Sequence, residues 1–268
     1  MAHPDDESFG IGALIAKYVA EGVEVTLICT TNGDVGTVDP EHLKGYNSIA
    51  ELRLAELHCA ADVLGFKEVI PFGYRDSGMM GTPENDDPLC SWQAPHDEIT
   101  QKVVDVIRRV KPQVIVTFDP FGGYGHPDHI KINKATLAAF KITQNDPDGP
   151  QKLYYPSFPR FMIRFGVTMM QLTGGDPRHM GRNKDMDAQA ILDATLPTHT
   201  RVDVSHYIEI GQKASACHAS QMMTGQDSPL VALFFRLLSS KSNLTRVEPP
   251  PILSRPAERD LFIGVLER

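Results

Sequence analysis

Short apolar runs recur along this chain and alternate with segments of helical spacing. Val23 to Thr30 (VEVTLICT) and Gln113 to Phe118 (QVIVTF) read as buried strands, and Lys67 to Phe72 as a shorter one. Ser8 to Glu21 reads as a helix with Ile11, Leu14, Ile15 and Val19 on one face, stopped at Gly22. Ser48 to Gly65 is a longer helix closed by glycine. Pro95 to Val110 is another, with Val103, Val104, Ile107 and Val110 among its apolar positions. A fourth helix opens at Pro127, where proline suits a first helical position, and runs to about Phe140. Strands that alternate with helices build βαβ units. The expected fold is therefore α/β, a Rossmann-like, doubly wound and mostly parallel sheet.

The pattern loosens after Asp146. Asn145 to Pro150 is a polar link. Phe158 to Leu172 has helical spacing and is rich in Met and Phe, which predicts core or a pocket wall. Val204 to Met223 and Pro229 to Leu238 read as helices, Glu248 to Pro256 as an extended proline-rich stretch, and Leu261 to Leu266 as a last strand. The 268 residues fit a single domain, with a core over about 1–157 and a pocket-shaping C-terminal lobe over 158–268.

Charge narrows the function classes. Lys plus Arg number 26 against 34 Asp plus Glu, a formal charge of −8. No block of five like charges appears, so a nucleic-acid binder, which needs a basic face, is disfavoured. No apolar stretch approaches membrane-spanning length. The opening Met1-Ala2-His3-Pro4-Asp5-Asp6-Glu7 carries acid where a secretory leader carries base and then apolar residues. Cys29, Cys59, Cys90 and Cys217 are far apart in sequence and form no CxxC pair, so a reducing compartment is expected. These features predict a cytoplasmic protein, and a homo-oligomer is compatible with them.

The polar clusters fall where strands end. Asn32-Gly33-Asp34 follows the first strand, Gly73 to Met79 (GYRDSGM) the second, and Asp119 to His129 (DPFGGYGHPDH) the third, while His3 to Glu7 precedes the first helix. In doubly wound sheets, sites form beyond the C-terminal strand ends, so these clusters are expected on one edge. His3 and Asp6 are three residues apart, and one helical turn brings both to the same side; His126 and His129 repeat the spacing. Two histidines and one carboxylate make a catalytic zinc set with an open position for water. Asp5 is then the adjacent carboxylate that can serve as general base. Each element also has a plainer reading as a helix start, with proline in the first turn and acids at its N-terminus. Arg53, inside a helix, reads by default as part of a solvated face. Asp76 reads equally as a loop cap or a site residue, and His218 as a satisfied helix histidine. Gly122-Gly123-Tyr124-Gly125 lacks the Walker lysine and the GxGxxG spacing, which argues against nucleotide binding.

AHPDDE (Ala2 to Glu7), GYRDSGM, GGYGHPDH (Gly122 to His129) and HASQ (His218 to Gln221) together resemble the LmbE-like, or PIG-L, family of zinc-dependent de-N-acetylases, which act on N-acetylglucosamine conjugates. The third motif is most similar to the branch holding the mycothiol-pathway deacetylase and S-conjugate amidase. The resemblance implies that His3, Asp6 and His129 hold zinc, a set that ferrous iron would also accept. It implies Asp5 as general base, His126 facing the carbonyl, Asp128 orienting a neighbouring histidine, and Tyr124 as a mobile residue near the oxyanion. Arg53 and Asp76 would bind sugar hydroxyls, and Met79 would line the sugar site.

Family members also carry a strand just before AHPDDE. Only Met1 and Ala2 stand there in this sequence, so the sheet is expected to lack its usual first strand or to fill that place with another segment. The implied function is a metal-dependent hydrolase that removes the N-acetyl group from a small amino-sugar conjugate. Two alternatives stay open: an amidase for a larger thiol-conjugate amide, and a sugar-binding protein with an impaired site.

Overall fold

A computed structural model describes residues 1–180, 185–222, 240–252 and 257–266. In chain order the elements are α1 (Asp6–Phe9), α2 (Gly12–Ala20), β1 (Thr26–Thr31), α3 (Ile49–Leu64), β2 (Glu68–Tyr74), α4 (His96–Val110), β3 (Val114–Val116), α5 (Gly122–Gly125), α6 (Pro127–Thr143), β4 (Lys152–Pro156), α7 (Arg160–Leu172), α8 (Ala188–Ala194), β5 (Thr200–Asp203), α9 (Ile208–Cys217) and β6 (Lys241–Glu248). They belong to two compact units, each drawn from distant stretches of sequence. One unit comprises residues 1–78, 82–93 and 203–242, and the other residues 79–81, 94–202 and 243–268.

In the first unit β1 and β2 pair in parallel, with Thr26 opposite Glu68 and Cys29 opposite Pro71. β1 also bonds the first residues of the chain. The Met1 amine donates to Ile28 O at 2.6 Å, Thr30 N to Met1 O at 3.1 Å, and Thr31 N to Ala2 O at 2.8 Å. His3 therefore follows directly on the residue bonded to the end of β1. The helix expected over Ser8 to Glu21 is two helices, because Ile11, at φ −136° and ψ 11°, leaves the helical path between α1 and α2. α3 has the local signals of a well-delimited helix. Ser48 Oγ accepts from Glu51 N at 3.1 Å at its start, and Gly65 takes φ 78° at its end.

α9 packs against both α2 and α3. The approach to α2 is close enough that a side chain at Gly211 would come within 2.8 Å of Ala13 N. Cys59 on α3 and Cys217 on α9 form a disulfide, while Cys29 and Cys90 are free and buried. Their distance in sequence gave no sign of this pairing. The fold brings together two residues 158 positions apart, which spacing in the chain cannot show.

The second unit is built on a sheet of order β3-β4-β6-β5. β3 and β4 are parallel, and β4 and β6 antiparallel. Phe140, Leu153 and Tyr155 form its buried centre, with Ile115, Leu137, Leu196 and Val247 packed around them. α4 lies against α6. Acids in the first turn of α4 and arginines in the last complement its dipole.

Among the described residues the protein is mixed α/β, as expected, but the strands form two sheets, one of them mixed, in place of one mostly parallel sheet. Three strands went unanticipated for a shared reason. β4 spans only five residues, and β5 and β6 mix polar with apolar side chains, so none presents an apolar run. Leu261 to Leu266, read as a strand, is a turn. α7 forms as expected, but Phe161, Phe165 and Met169 on it are exposed and Val167 alone is buried, so it is not the core element expected. Pro229 to Leu238 and Met223 lie outside the described residues.

One polar network stands out in the second unit. The Glu258 carboxylate accepts from Lys152 Nζ (3.0 Å), Tyr154 Oη (3.0 Å), Thr200 Oγ1 (2.8 Å) and Arg246 Nη1 (2.5 Å). Burial pushes this carboxyl up, but the bonds from Thr200, Lys152 and Tyr154 outweigh it and hold the group below the usual glutamate range. A group depressed in the fold contributes fully above its unfolded value, about 4.3 for glutamate, and loses that contribution as pH falls through the folded value. Glu258→Gln should therefore lower stability at neutral pH by on the order of 2 kcal/mol. Denaturant melts of variant and parent should converge in acid. A separate check concerns the cysteines: thiol titration of the denatured, unreduced chain should find two thiols, Cys29 and Cys90, and four after reduction.

Candidate active site

The first unit gathers five of the residues singled out in the sequence. His3 is buried where the chain leaves β1, with Nδ1 3.7 Å from Asp6 Oδ2 and Nε2 3.5 Å from Asp76 Oδ1. Asp6 Oδ2 accepts from the backbone N–H groups of Ala2 (3.0 Å) and His3 (2.7 Å), which fixes the carboxylate in place. Asp76 Oδ1 accepts from Gly78 N at 2.9 Å, and Asp76 N donates to Asp34 Oδ1 at 2.9 Å. Asp34 also takes Arg75 Nε at 2.7 Å, so the Asn32-Gly33-Asp34 loop buttresses GYRDSGM.

Asp5 stands between His3 and Asp6 in sequence. Its φ is 133°, in the region that favours glycine, so its backbone is strained. Its Oδ2 accepts from Arg53 Nη2 at 2.8 Å. The same guanidinium donates to Pro4 O and, at 3.3 Å, to Gly33 O. Arg53 is therefore no solvated surface residue: α3 turns it inward together with Leu52, Glu56 and Leu57. Burial pushes the Asp5 carboxyl up to about 7; the Arg53 guanidinium pulls against that rise, and the neighbouring Asp6 charge adds to it.

The second unit holds the other cluster, at the turn before α6. His126 is the N-cap residue of α6 and Pro127 its first helical residue. The plain reading of this motif as a helix start is thus correct, and it also sets the chemistry. His126 Nδ1 accepts from Asp128 N at 3.2 Å. A backbone N–H can only donate, so in the neutral ring the proton sits on Nε2. His129 is wired the opposite way. Its Nδ1 lies 3.1 Å from Gly122 O, which can only accept, so the proton is on Nδ1 and Nε2 carries the lone pair. Gly122 approaches His129 with φ 70°, and a side chain there would meet the His129 Cβ at 2.9 Å.

The surrounding groups hold both rings. Phe118 stacks on His129 with centroids 3.8 Å apart and planes 15° from parallel. Tyr124 meets His126 and His129 edge-on, at 5.9 Å and 5.0 Å. Asp128 is fully buried, with its backbone N–H bonded to His126 Nδ1 and its Oδ2 3.9 Å from the same nitrogen. Asp119 Oδ1 accepts from Gly123 N at 3.2 Å, and burial raises its carboxyl. Met79 is half-buried in the loop after β2.

Sequence reasoning missed Glu7, Glu56 and Ser220, and read His218 as merely satisfied. Glu7 and His218 are bonded to each other at 2.7 Å, and Ser220 bonds Glu56 through its N–H (2.9 Å) and hydroxyl (2.7 Å). Glu7 closes AHPDDE, and His218 and Ser220 belong to HASQ, but the partners lie some 160 to 210 residues apart, which neither motif shows.

Comparison with known proteins bears on these clusters. The family described as PIG-L, GlcNAc-PI de-N-acetylase, matches residues 1–140. A 1D-myo-inositol 2-acetamido-2-deoxy-alpha-D-glucopyranoside deacetylase from Thermomonospora curvata is 36% identical, over 87% of this chain and 82% of its own. A protein of the same name from Thermobifida fusca is 39% identical, over 82% and 81%. Among solved structures, an N,N'-diacetylchitobiose deacetylase from Pyrococcus horikoshii superposes with a TM-score of 0.61 at 19% identity, covering 93% of this chain and 84% of that one. At that identity the likeness establishes the fold alone. Taken with the family match, the two sequence relatives settle the lineage: this chain belongs to the PIG-L de-N-acetylase family.

Proposed function

We propose that this protein hydrolyses the acetamide of an N-acetylglucosamine conjugate, releasing acetate and the amino sugar. The names of its relatives make a 2-acetamido-2-deoxyglucoside of myo-inositol the first substrate to try. The observation that carries the reading is the opposite wiring of the two histidines in His126-Pro127-Asp128-His129. His129 offers a lone pair, as a metal ligand must, and His126 offers an N–H, as a stabiliser of a developing oxyanion must.

The donor set fits a divalent metal. Neutral imidazole with its other nitrogen bonded to a backbone carbonyl is the usual state of a ligating histidine. His3, Asp6 and His129 would hold the ion, and two histidines with one carboxylate suit zinc and accept ferrous iron. Once bound, such an ion polarises a carbonyl and lowers the pKa of water. Asp5, its carboxylate steadied by Arg53, takes the proton from the attacking water. His126 Nε2–H meets the charge that builds on the acetyl oxygen, with Tyr124 beside it. The C–N bond then breaks, and the departing nitrogen receives the proton that Asp5 had taken. Asp128 keeps the His126 ring in the required tautomer. The family resemblance would set Arg53 and Asp76 at the sugar hydroxyls and Met79 against the sugar.

Amine release should be measured over a panel of N-acetylated sugars and bulkier amides, before and after metal removal. Activity lost to a chelator should return with zinc. Asp5→Asn should retain the metal and lower kcat by about 10²–10⁴-fold; an unchanged rate would remove Asp5 from the role of base. His129→Ala should lose the metal, and full occupancy by elemental analysis would end its assignment as a ligand.

A further inference from the structure

Glu7 and His218 are a buried pair that the mechanism leaves unused. Both side chains are fully enclosed, and His218 Nε2 lies 2.7 Å from Glu7 Oε1. The carboxylate accepts, so Nε2 carries the proton, and Nδ1 of the same ring has no hydrogen-bond partner among the described residues. The Ser8 hydroxyl donates to the same oxygen at 2.5 Å. The second oxygen of Glu7 points elsewhere: Oε2 accepts the backbone N–H of Asp5 at 3.0 Å. One buried carboxylate thus joins the end of α9 to the residue with φ 133°.

A strained backbone persists only where its surroundings over-determine it. At Asp5 the determinants are few and specific. Arg53 holds the side chain and the preceding carbonyl, and Ser8 N and Phe9 N donate to Asp5 O. Glu7 holds the amide. A buried hydrogen-bonded pair confined to Glu7 and His218 would leave that amide to another acceptor; here the second oxygen of Glu7 takes it. His218 is itself firmly placed. The disulfide residue Cys217 precedes it, Ser220 two residues on is bonded twice to Glu56, and Phe9 lies edge-on to its ring at 5.9 Å.

We infer that Glu7 and His218 are positioning residues that hold Asp5 in its strained conformation, with His218 orienting Glu7 and Glu7 fixing the Asp5 amide. This rests on the proposed role of Asp5 as base. HASQ is then the distant half of the AHPDDE element, and its histidine acts on the reaction without touching substrate.

The test compares His218→Phe, which keeps a ring of similar volume but no donor, with His218→Gln, whose amide can donate from nearly the same place. Amide hydrogen exchange of the intact protein is followed in peptides covering residues 1–9. The Phe variant should exchange there about tenfold faster than the parent, with the rest of the chain unchanged, and the Gln variant should exchange like the parent. In the assay above, the Phe variant should lose about 10–100-fold in kcat with KM and zinc content kept, and the Gln variant should recover most of the rate. Parental exchange in the Phe variant, a Gln variant as impaired as the Phe one, or a rate loss that tracks zinc loss would each overturn the inference. If the parent releases no amine from any substrate, the proposed function fails, and the exchange comparison still decides the role of the pair.

Discussion

A single buried guanidinium organises the first unit. Arg53 projects inward from α3 and reaches Pro4 O, Asp5 and Gly33 O, so one cation gathers the segment before α1 and the loop after β1. A cation this enclosed, only 3% exposed, is tolerated when it is paired. The dependence runs both ways, because burial would otherwise favour the neutral form of Asp5, and the guanidinium opposes that. α3 can supply the arginine in a fixed place because Ser48 and Gly65 define both of its ends. Glu56, three residues along the same face, extends the arrangement to Ser220.

The second unit reaches its chemistry by a different route. There the decisive bonds are to backbone groups, and they act by choosing tautomers. His126 receives an N–H from the helix it caps, and His129, one turn later, gives its own N–H to Gly122 O. The same four-residue stretch therefore yields one ring that donates from Nε2 and one that accepts there.

Much of this was legible in the sequence, and the limits have identifiable causes. The longer helices of the first 143 residues were visible because α4 has a strong apolar periodicity and the ends of α3 and α6 carry Ser48, Gly65 and Pro127. The mixed sheet was not, because β4, β5 and β6 carry alternating or very short apolar patterns. Within the candidate site, spacing alone pointed to His3 with Asp6 and to His126 with His129. Arg53 needed the resemblance to a family, since a lone arginine between glutamates reads as surface. Glu7 looked like a first-turn acid, and its partner His218 lies 211 residues away, beyond the reach of any local pattern. The Cys59–Cys217 disulfide was hidden for the same reason.

The first unit is discontinuous, taking residues 203–242 from the far end of the chain, whereas the family match stops at residue 140. The end of the family match is therefore not a boundary of autonomous folding, and the similarity to whole relatives runs on past it, over 87% of this chain in one of them. A fragment cut there would keep every residue of AHPDDE and HPDH, yet Glu7 would be left with no imidazole and Glu56 with no serine. In this protein the portable unit is not the stretch that carries the motifs. The imidazole of His218 and the hydroxyl of Ser220, both supplied from the last third of the sequence, are what such a fragment would lack.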